Sequence, residues 1–480
     1  MLVLMVSSEA NPLAKTGGLA DVVYALSKEL VSSKQEVAIV MPLYGTMFKD
    51  INYPIRQIAS FDVILGWRNQ RANLFTTLID GITYYLIDNE YYFAREGLYG
   101  YGDDTERFAF FTQAVYDMLK QGVVPLPDIV HVHDWQAGML PVLFKEREKG
   151  NPLFAKLKTV LTIHNPAFQG IFSQDLLTEF YGLPHQLYDN GQVRFGNQVS
   201  TLKSAIVYAD MITTVSPTHA EELLTSEGGK GLNSVIELRK GRFVGILNGI
   251  DYQEFNPEND KYLAAHYSPE NFSAGKSLCR EQLLKTFHLT NDEKRPLFGL
   301  VSRLTWQKGI DLIEKAIRPA LEKGDYFVAL GSGEKSCEDL LENLRREFPE
   351  QVGIYLGYNN TLAHEIYAGS DIFLMPSLFE PCGTGQMIAL RYGTLPLVRY
   401  TGGLKDTVLG YENNSVAKAN GFGFCEYSPE ALNQAIMLAT KTYRNSKVFS
   451  RLIQNAMLAN NDWKKSGEEY LKLYQQLKEE

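Results

Sequence analysis

The sequence predicts an α/β protein of two Rossmann-like domains, each a parallel sheet covered by helices, with the two sheets facing an interdomain cleft. Three observations carry that expectation. Short apolar runs alternate with helical patterns almost throughout, and such alternation builds βαβ units around parallel sheets. The chain has 480 residues, too many for one compact core. Between its two alternating halves lies a polar stretch, 248–294, poor in strand signals and punctuated by Asn256-Pro257 and Ser268-Pro269.

In the first half, 2–6, 37–41, 129–132, 159–163, 211–215 and 243–247 read as strands. The run Leu2-Val3-Leu4-Met5-Val6 has no basic stretch before it and no small-residue cleavage site after it, so it reads as a buried strand rather than a leader. Over 18–30 the apolar residues Leu19, Val22, Val23, Leu26 and Leu30 recur at helix spacing. The second half resumes with strands at 297–301, 326–330, 354–356, 372–375 and 395–398. The expected division is 1–248, 249–460 and a charged terminal helix over 461–480. Packing of that helix back on the N-terminal domain is the expectation, although the sequence alone permits either domain.

The net charge of −9 argues against nucleic acid or an anionic membrane as the main partner. No run approaches the ~18 apolar residues of a membrane span. Four widely spaced cysteines, Cys279, Cys337, Cys382 and Cys425, form no Cys-x-x-Cys pair, which fits a reducing compartment: the cytoplasm, or the plastid stroma for a mature chain. No metal site and no cofactor is expected. The dinucleotide fingerprint Gly-x-Gly-x-x-Gly is absent. Gly275-Lys276-Ser277 resembles the end of a phosphate-binding loop, but Glu270 holds the position of its first glycine. His131-x-His133-Asp134 puts two imidazoles on one strand face, yet no second ligand cluster follows at metal spacing.

Residues with chemical potential fall just after predicted strands, where parallel sheets bind ligands. The first set is Lys15-Thr16-Gly17-Gly18-Leu19-Ala20-Asp21. Two glycines let the backbone approach a ligand, a helix N-terminus offers N–H groups to an anion, and Lys15 adds a charge. Gly-Gly alone would be an ordinary tight turn; with the lysine, anion binding is the better reading. Ser302-Arg303-Leu304-Thr305-Trp306-Gln307-Lys308-Gly309 repeats the arrangement, with Arg303 and Lys308 suited to a diphosphate. Each would be an ordinary loop cation by itself. Pro376-Ser377-Leu378-Phe379-Glu380-Pro381-Cys382-Gly383-Thr384-Gly385-Gln386 places a carboxylate before a Gly- and Pro-rich turn, suited to sugar hydroxyls or equally to capping a helix. Asp134-Trp135 and His164-Asn165-Pro166-Ala167-Phe168-Gln169-Gly170 end neighbouring strands.

Together with Asn248-Gly249-Ile250-Asp251 and Thr401-Gly402-Gly403-Leu404, these motifs, in family order from the first strand to about residue 410, resemble the glycogen and starch synthases. That resemblance implies a retaining hexosyltransferase of GT-B architecture, elongating an α-1,4-glucan at its non-reducing end from a nucleotide-glucose, with ADP-glucose favoured over UDP-glucose. It implies that Lys15, Gly17, Gly18, Arg303 and Lys308 contact the donor diphosphate. Asp21, Asn248 and Glu380 would position the donor, with Cys382, Gly383 and Thr384 beside it and Tyr358 under the base. Asp134, His164 and Tyr99 would line the sugar side, the His164 carbonyl facing the developing oxocarbenium ion. The implied catalytic set is Lys15, Asp134, His164, Arg303, Lys308 and Glu380. No carboxylate pair of the retaining-hydrolase kind is evident, so internal return on one sugar face is expected.

The chain departs from the family pattern at Thr384-Gly385, where Leu-Thr is common, at Met387, where related transferases carry a second Glu, and at Pro166. Tyr84, Tyr85, Tyr91, Tyr92, Tyr99 and Tyr101 precede a predicted helix over 106–119; they read as packing or as an acceptor groove, with Tyr99 the one matching a family position. Competing readings are a transferase of the same fold with another acceptor and an inactive glucan- or nucleotide-binding homologue.

Overall fold

The structure, a computed structural model, describes residues 1–45 and 53–480. They divide into two compact units, Met1–Ile246 with Trp463–Glu480, and Leu247–Asp462.

The first unit holds β1 (Leu2–Val6), β2 (Glu36–Pro42), β3 (Arg56–Leu65), β4 (Arg68–Ile79), β5 (Ile82–Asp88), β6 (Ile129–His133), β7 (Lys158–Ile163), three short strands β8 (Ile171–Phe172), β9 (Arg194–Phe195) and β10 (Gln198–Ser200), then β11 (Met211–Thr214) and β12 (Phe243–Gly245). The main sheet runs β12-β11-β7-β6-β1-β2-β5-β4-β3. All its neighbours are parallel except β4, antiparallel to β3 and β5. The central strands are buried on both faces, which is why they read as unbroken apolar runs.

The β3–β5 extension escapes that pattern. In β3, Phe61, Val63 and Leu65 point inward while Asp62 and Ile64 face solvent, so the strand alternates instead of forming an apolar block. The Tyr-rich stretch begins only in β5, and two of its tyrosines, Tyr84 on that strand and Tyr92 just after it, are fully buried packing residues. Helix Gly18–Ser32 lies between β1 and β2, and the helix expected over 106–119 spans Asp104–Lys120. The terminal helix Trp463–Glu479 buries Trp463, Tyr470, Leu473, Tyr474 and Leu477 in this unit, the leucines each worth roughly 1.5–3 kcal/mol of burial.

The second unit holds β13 (Leu297–Val301), β14 (Tyr326–Gly331), β15 (Val352–Leu356), β16 (Ile372–Met375), β17 (Leu395–Arg399) and β18 (Phe422–Phe424). They form an all-parallel sheet in the order β15-β14-β13-β16-β17-β18. The three-residue β18 is too short to announce itself in sequence. Helix Phe272–Thr286 explains Gly275-Lys276-Ser277: Lys276 is buried, and its Nζ donates to the carbonyls of Ala368 (2.8 Å), Ser370 (3.1 Å) and Tyr392 (3.2 Å) and to Thr394 Oγ1 (2.9 Å). It is a structural pin, and burial pulls its ammonium down to about 8. Among the described residues no helix is long and apolar enough to cross a membrane, and no group of His, Cys, Asp and Glu has metal-holding geometry.

Candidate functional site

Each sheet reverses its strand order at one place. In the first unit β1 has β2 on one side and β6 on the other; in the second β13 lies between β14 and β16. Chains leave such a switch point in opposite directions and open a crevice at the carboxyl ends of the strands. The loops after β1, β6 and β7, and those after β13 and β16, carry most of the residues with chemical potential.

After β1 the chain enters Glu9, which is 2% exposed. Its carboxylate accepts the Thr16 N–H (2.6 Å) and the Thr16 hydroxyl (2.8 Å), tethering the Lys15–Gly18 loop. Burial, the largest influence, raises its pKa. Gly17 is extended at φ −159°, and a Cβ on Gly17 or Gly18 would meet nothing within 4 Å. Neither backbone strain nor crowding therefore demands glycine there, and open space over the N-terminus of a 15-residue helix is what these residues provide. Lys15 Nζ pairs with Asp21 Oδ1 at 2.8 Å, about half-exposed on both sides. Two residues assigned separately to the ligand thus hold each other, and Asn11 shares the same oxygen.

Asp134 follows β6 with φ 55° and ψ −162°, a region nearly reserved for glycine that costs about 1–3 kcal/mol. The turn is held because Asp134 N–H donates to the Thr162 carbonyl (3.0 Å) and Oδ1 accepts the His164 N–H (2.7 Å). Burial pushes its carboxyl up to about 7, against the His164 and Asn165 amides and with help from the Glu9 charge. His164 Nε2 lies 3.0 Å from His133 Nδ1, and burial drives the His164 ring down to about 3, so it is neutral. Tyr99 Oη bonds Ser8 Oγ at 2.7 Å, and both Glu9 and Asp134 raise its pKa beyond the effect of burial. Asp134 and Tyr99 thus both feel the Glu9 charge, and His164 is tied to Asp134 through its backbone N–H. Sequence reading passed over that glutamate; its signal was a carboxylate three residues past an apolar strand, where a charge needs a reason.

In the second unit Lys308 Nζ contacts Glu380 Oε2 at 2.5 Å, with side chains 17% and 9% exposed. Ser377 Oγ donates to the same oxygen at 3.1 Å. The loops after β13 and β16 are stitched by Leu378 N–H to the Gln307 carbonyl (2.8 Å) and Gln307 Nε2 to the Phe379 carbonyl (3.2 Å). Gly402 and Gly403 close the construction. A Cβ on either would collide with the Glu380 or Cys382 carbonyl oxygen, which gives Thr401-Gly402-Gly403 its physical reason. Cys382 is buried and pushed up to about 12, remaining a thiol beside the Asn248 amide. Asn248 Oδ1 is buried without a partner. Gly383 adopts φ 73°, Thr384 is exposed, and Met387 is wholly buried core rather than a polar contact. Arg303 is exposed with no ion pair among the described residues. Tyr358, 85% exposed, stands apart after β15.

Residues 2–238 match the family model described as starch synthase catalytic domain, and residues 283–457 match glycosyl transferases group 1. The chain is 44% identical over 478 residues to the glycogen synthase of Clostridium botulinum (strain Alaska E43 / Type E3), covering 99% of each. It is 41% identical over 479 residues to that of Bacillus cereus (strain ATCC 10987 / NRS 248), covering 100% of each. Its structure superposes on the catalytic domain of starch synthase IV from Arabidopsis thaliana, solved bound to ADP and acarbose, with a TM-score of 0.91 and 33% identity, covering 100% of this chain and 99% of that one. Sucrose-phosphate synthase from Thermosynechococcus elongatus, 16% identical with a TM-score of 0.61, shares the fold.

Proposed function

The chain belongs to the glycogen synthase family, and from that premise we propose that it extends an α-1,4-glucan at the non-reducing end with glucose from ADP-glucose, retaining the α configuration. The observation that carries the reading is full-length similarity to glycogen synthases joined to a structural match with a synthase solved with ADP and acarbose.

Within the first unit, Lys15, Gly17, Gly18 and Asp21 form the phosphate-facing loop: incoming phosphate competes with Asp21 for Lys15, an exchange made easy by the exposure of that pair. Asp134, His164 and Tyr99 take the sugar side. Within the second unit, Arg303 and Lys308 neutralise the leaving diphosphate, Glu380 holds glucose hydroxyls, Asn248, Cys382, Gly383 and Thr384 flank the donor, and Tyr358 stacks on the base. Four free cysteines support a cytoplasmic setting.

The carboxylates support a route without a covalent glucosyl-enzyme. Asp134 is occupied by backbone N–H groups, and Glu380 by Lys308 and Ser377. Neither is a free nucleophile of the kind that retaining hydrolases use. Catalysis then rests on placing the acceptor hydroxyl on the face the phosphate leaves, with the departing phosphate oxygen taking its proton, and on fixed charges and dipoles.

Incubation with glycogen and either ADP-[14C]glucose or UDP-[14C]glucose tests the reading. Label entering polymer as α-1,4 linkages, faster from the ADP donor, is the expected result. No incorporation from either donor overturns the activity, and a faster UDP donor overturns the base assignment.

A further inference from the structure

Three histidines lie beneath the sugar side of the first unit, and the proposed function uses only one. His131 and His133 alternate on β6 with ring centroids 4.2 Å apart. Both nitrogens of His131 are engaged, Nδ1 with Tyr474 Oη at 2.7 Å and Nε2 with Thr162 Oγ1 at 2.6 Å. His133 Nδ1 meets His164 Nε2 at 3.0 Å, while His133 Nε2 is sealed from solvent with no partner.

The Nδ1–Nε2 contact holds one proton between two rings, which leaves two arrangements. If His164 Nε2–H donates, His133 Nδ1 is the acceptor and the neutral His133 must carry its proton on Nε2, as a buried N–H with no acceptor. If His133 Nδ1–H donates, His133 Nε2 is a bare lone pair, and His164, accepting at Nε2, carries its proton on Nδ1. Buried backbone N–H groups are orphaned more rarely than buried carbonyl acceptors, and the same preference carried over to the imidazole selects the second arrangement. A cationic His133 would need the same missing acceptor, and its burial also disfavours the charge.

We propose that His133 is a positioning residue that locks His164 in the Nδ1–H tautomer, so that His164 presents a hydrogen-bond donor, not an acceptor, to the sugar. The inference rests on the reading of His164 as a sugar-side residue. It extends that reading by naming which atom offers the proton and which residue dictates it. The complementary ligand group is a glucosyl hydroxyl oxygen acting as acceptor. Because His131 has no nitrogen to spare, His133 has no second partner within the ladder that would let its tautomer relax.

Two-bond 1H–15N correlation spectra of the unliganded full-length protein, labelled with 15N-histidine and assigned with His133→Asn and His164→Asn, read the tautomer directly. The expected pattern has His164 protonated on Nδ1 and unprotonated on Nε2. A His164 protonated on Nε2 overturns the proposal, whether or not the protein transfers glucose, so its failure is separable from failure of the functional reading. Activity gives the second arm. His133→Asn keeps an N–H donor near the Nδ1 position and should retain most of the rate, whereas His133→Asp, assayed at a pH where its carboxylate is ionised and can only accept, turns the His164 tautomer over and should lose on the order of 10–100-fold in kcat. Equal losses in the two variants, with unchanged melting temperatures, would mean that the tautomer does not matter.

Discussion

The two switch-point crevices solve different electrostatic problems. In the first unit the residues around Asp134 are buried, neutral or reluctant to ionise, and held by hydrogen bonds: a carboxyl pushed up to about 7, a histidine pushed down to about 3, a backbone turn in a glycine-like region. In the second unit the central feature is an ion pair, Lys308 with Glu380, partly open to solvent, with the exposed Arg303 on the same loop as Lys308. A low-charge, fixed site suits uncharged sugar. A site of opposite charges already in contact suits a ligand that carries phosphate at one end and hydroxyls at the other, because each partner can exchange the other for part of the ligand.

The sharpest way to break that contrast is at the ion pair. Lys308→Ala should lower kcat on the order of 10²–10³-fold, the usual loss for one electrostatic contact to developing charge, and should weaken ADP in titration calorimetry. Glu380→Ala should also depress kcat, yet leave ADP affinity unchanged or tighter, since Lys308 is released from its partner. Loss of ADP binding in Glu380→Ala with retention in Lys308→Ala would reverse the assignment.

Next in size is the pH response of the first unit. On the proposed role of Asp134 at the reacting centre, and with burial pushing its carboxyl up to about 7, kcat/KM should fall about tenfold per pH unit below that value. Asp134→Asn should remove this limb, and an identical limb in the variant would assign it to another group. The stability signs differ by residue. Asp134 keeps its proton when folded but loses it when unfolded between about 4 and 7, so its contribution falls as pH rises through that window. Buried His131 and His164, both pushed down to about 3, lose their contribution as pH drops below about 6.5, where only the unfolded chain takes up protons.

The smallest effect belongs to Lys15. Its pair with Asp21 is about half-exposed, so Lys15→Met should change unfolding free energy by less than about 1 kcal/mol while raising the donor KM. An unfolding free energy from chemical denaturation lowered by much more than about 1 kcal/mol would make the pair structural, not an exchangeable contact for phosphate.

Much of this protein was legible from the chain alone. The doubly wound character, the central strands and the placement of chemical residues after β1, β6, β7, β13 and β16 follow from apolar runs, glycines and charges at strand ends, because fully buried parallel strands must be continuous apolar blocks. Membership in the synthase family was equally readable, since its motifs are local stretches in a fixed order. The β3–β5 extension was not, because one-sided strands alternate and imitate loops. Nor was the role of Glu9, whose importance lies in a bond to Thr16 seven residues away, nor the meeting of Lys308 with Glu380 across 72 residues. Whether Lys276 binds phosphate or pins carbonyls, and whether a histidine is a donor or an acceptor, depends on which neighbours the sheet brings within three ångströms and how much water it removes. Residue type and spacing set what each group is able to do; burial and partners, which exist only after folding, decide which of those capacities is used.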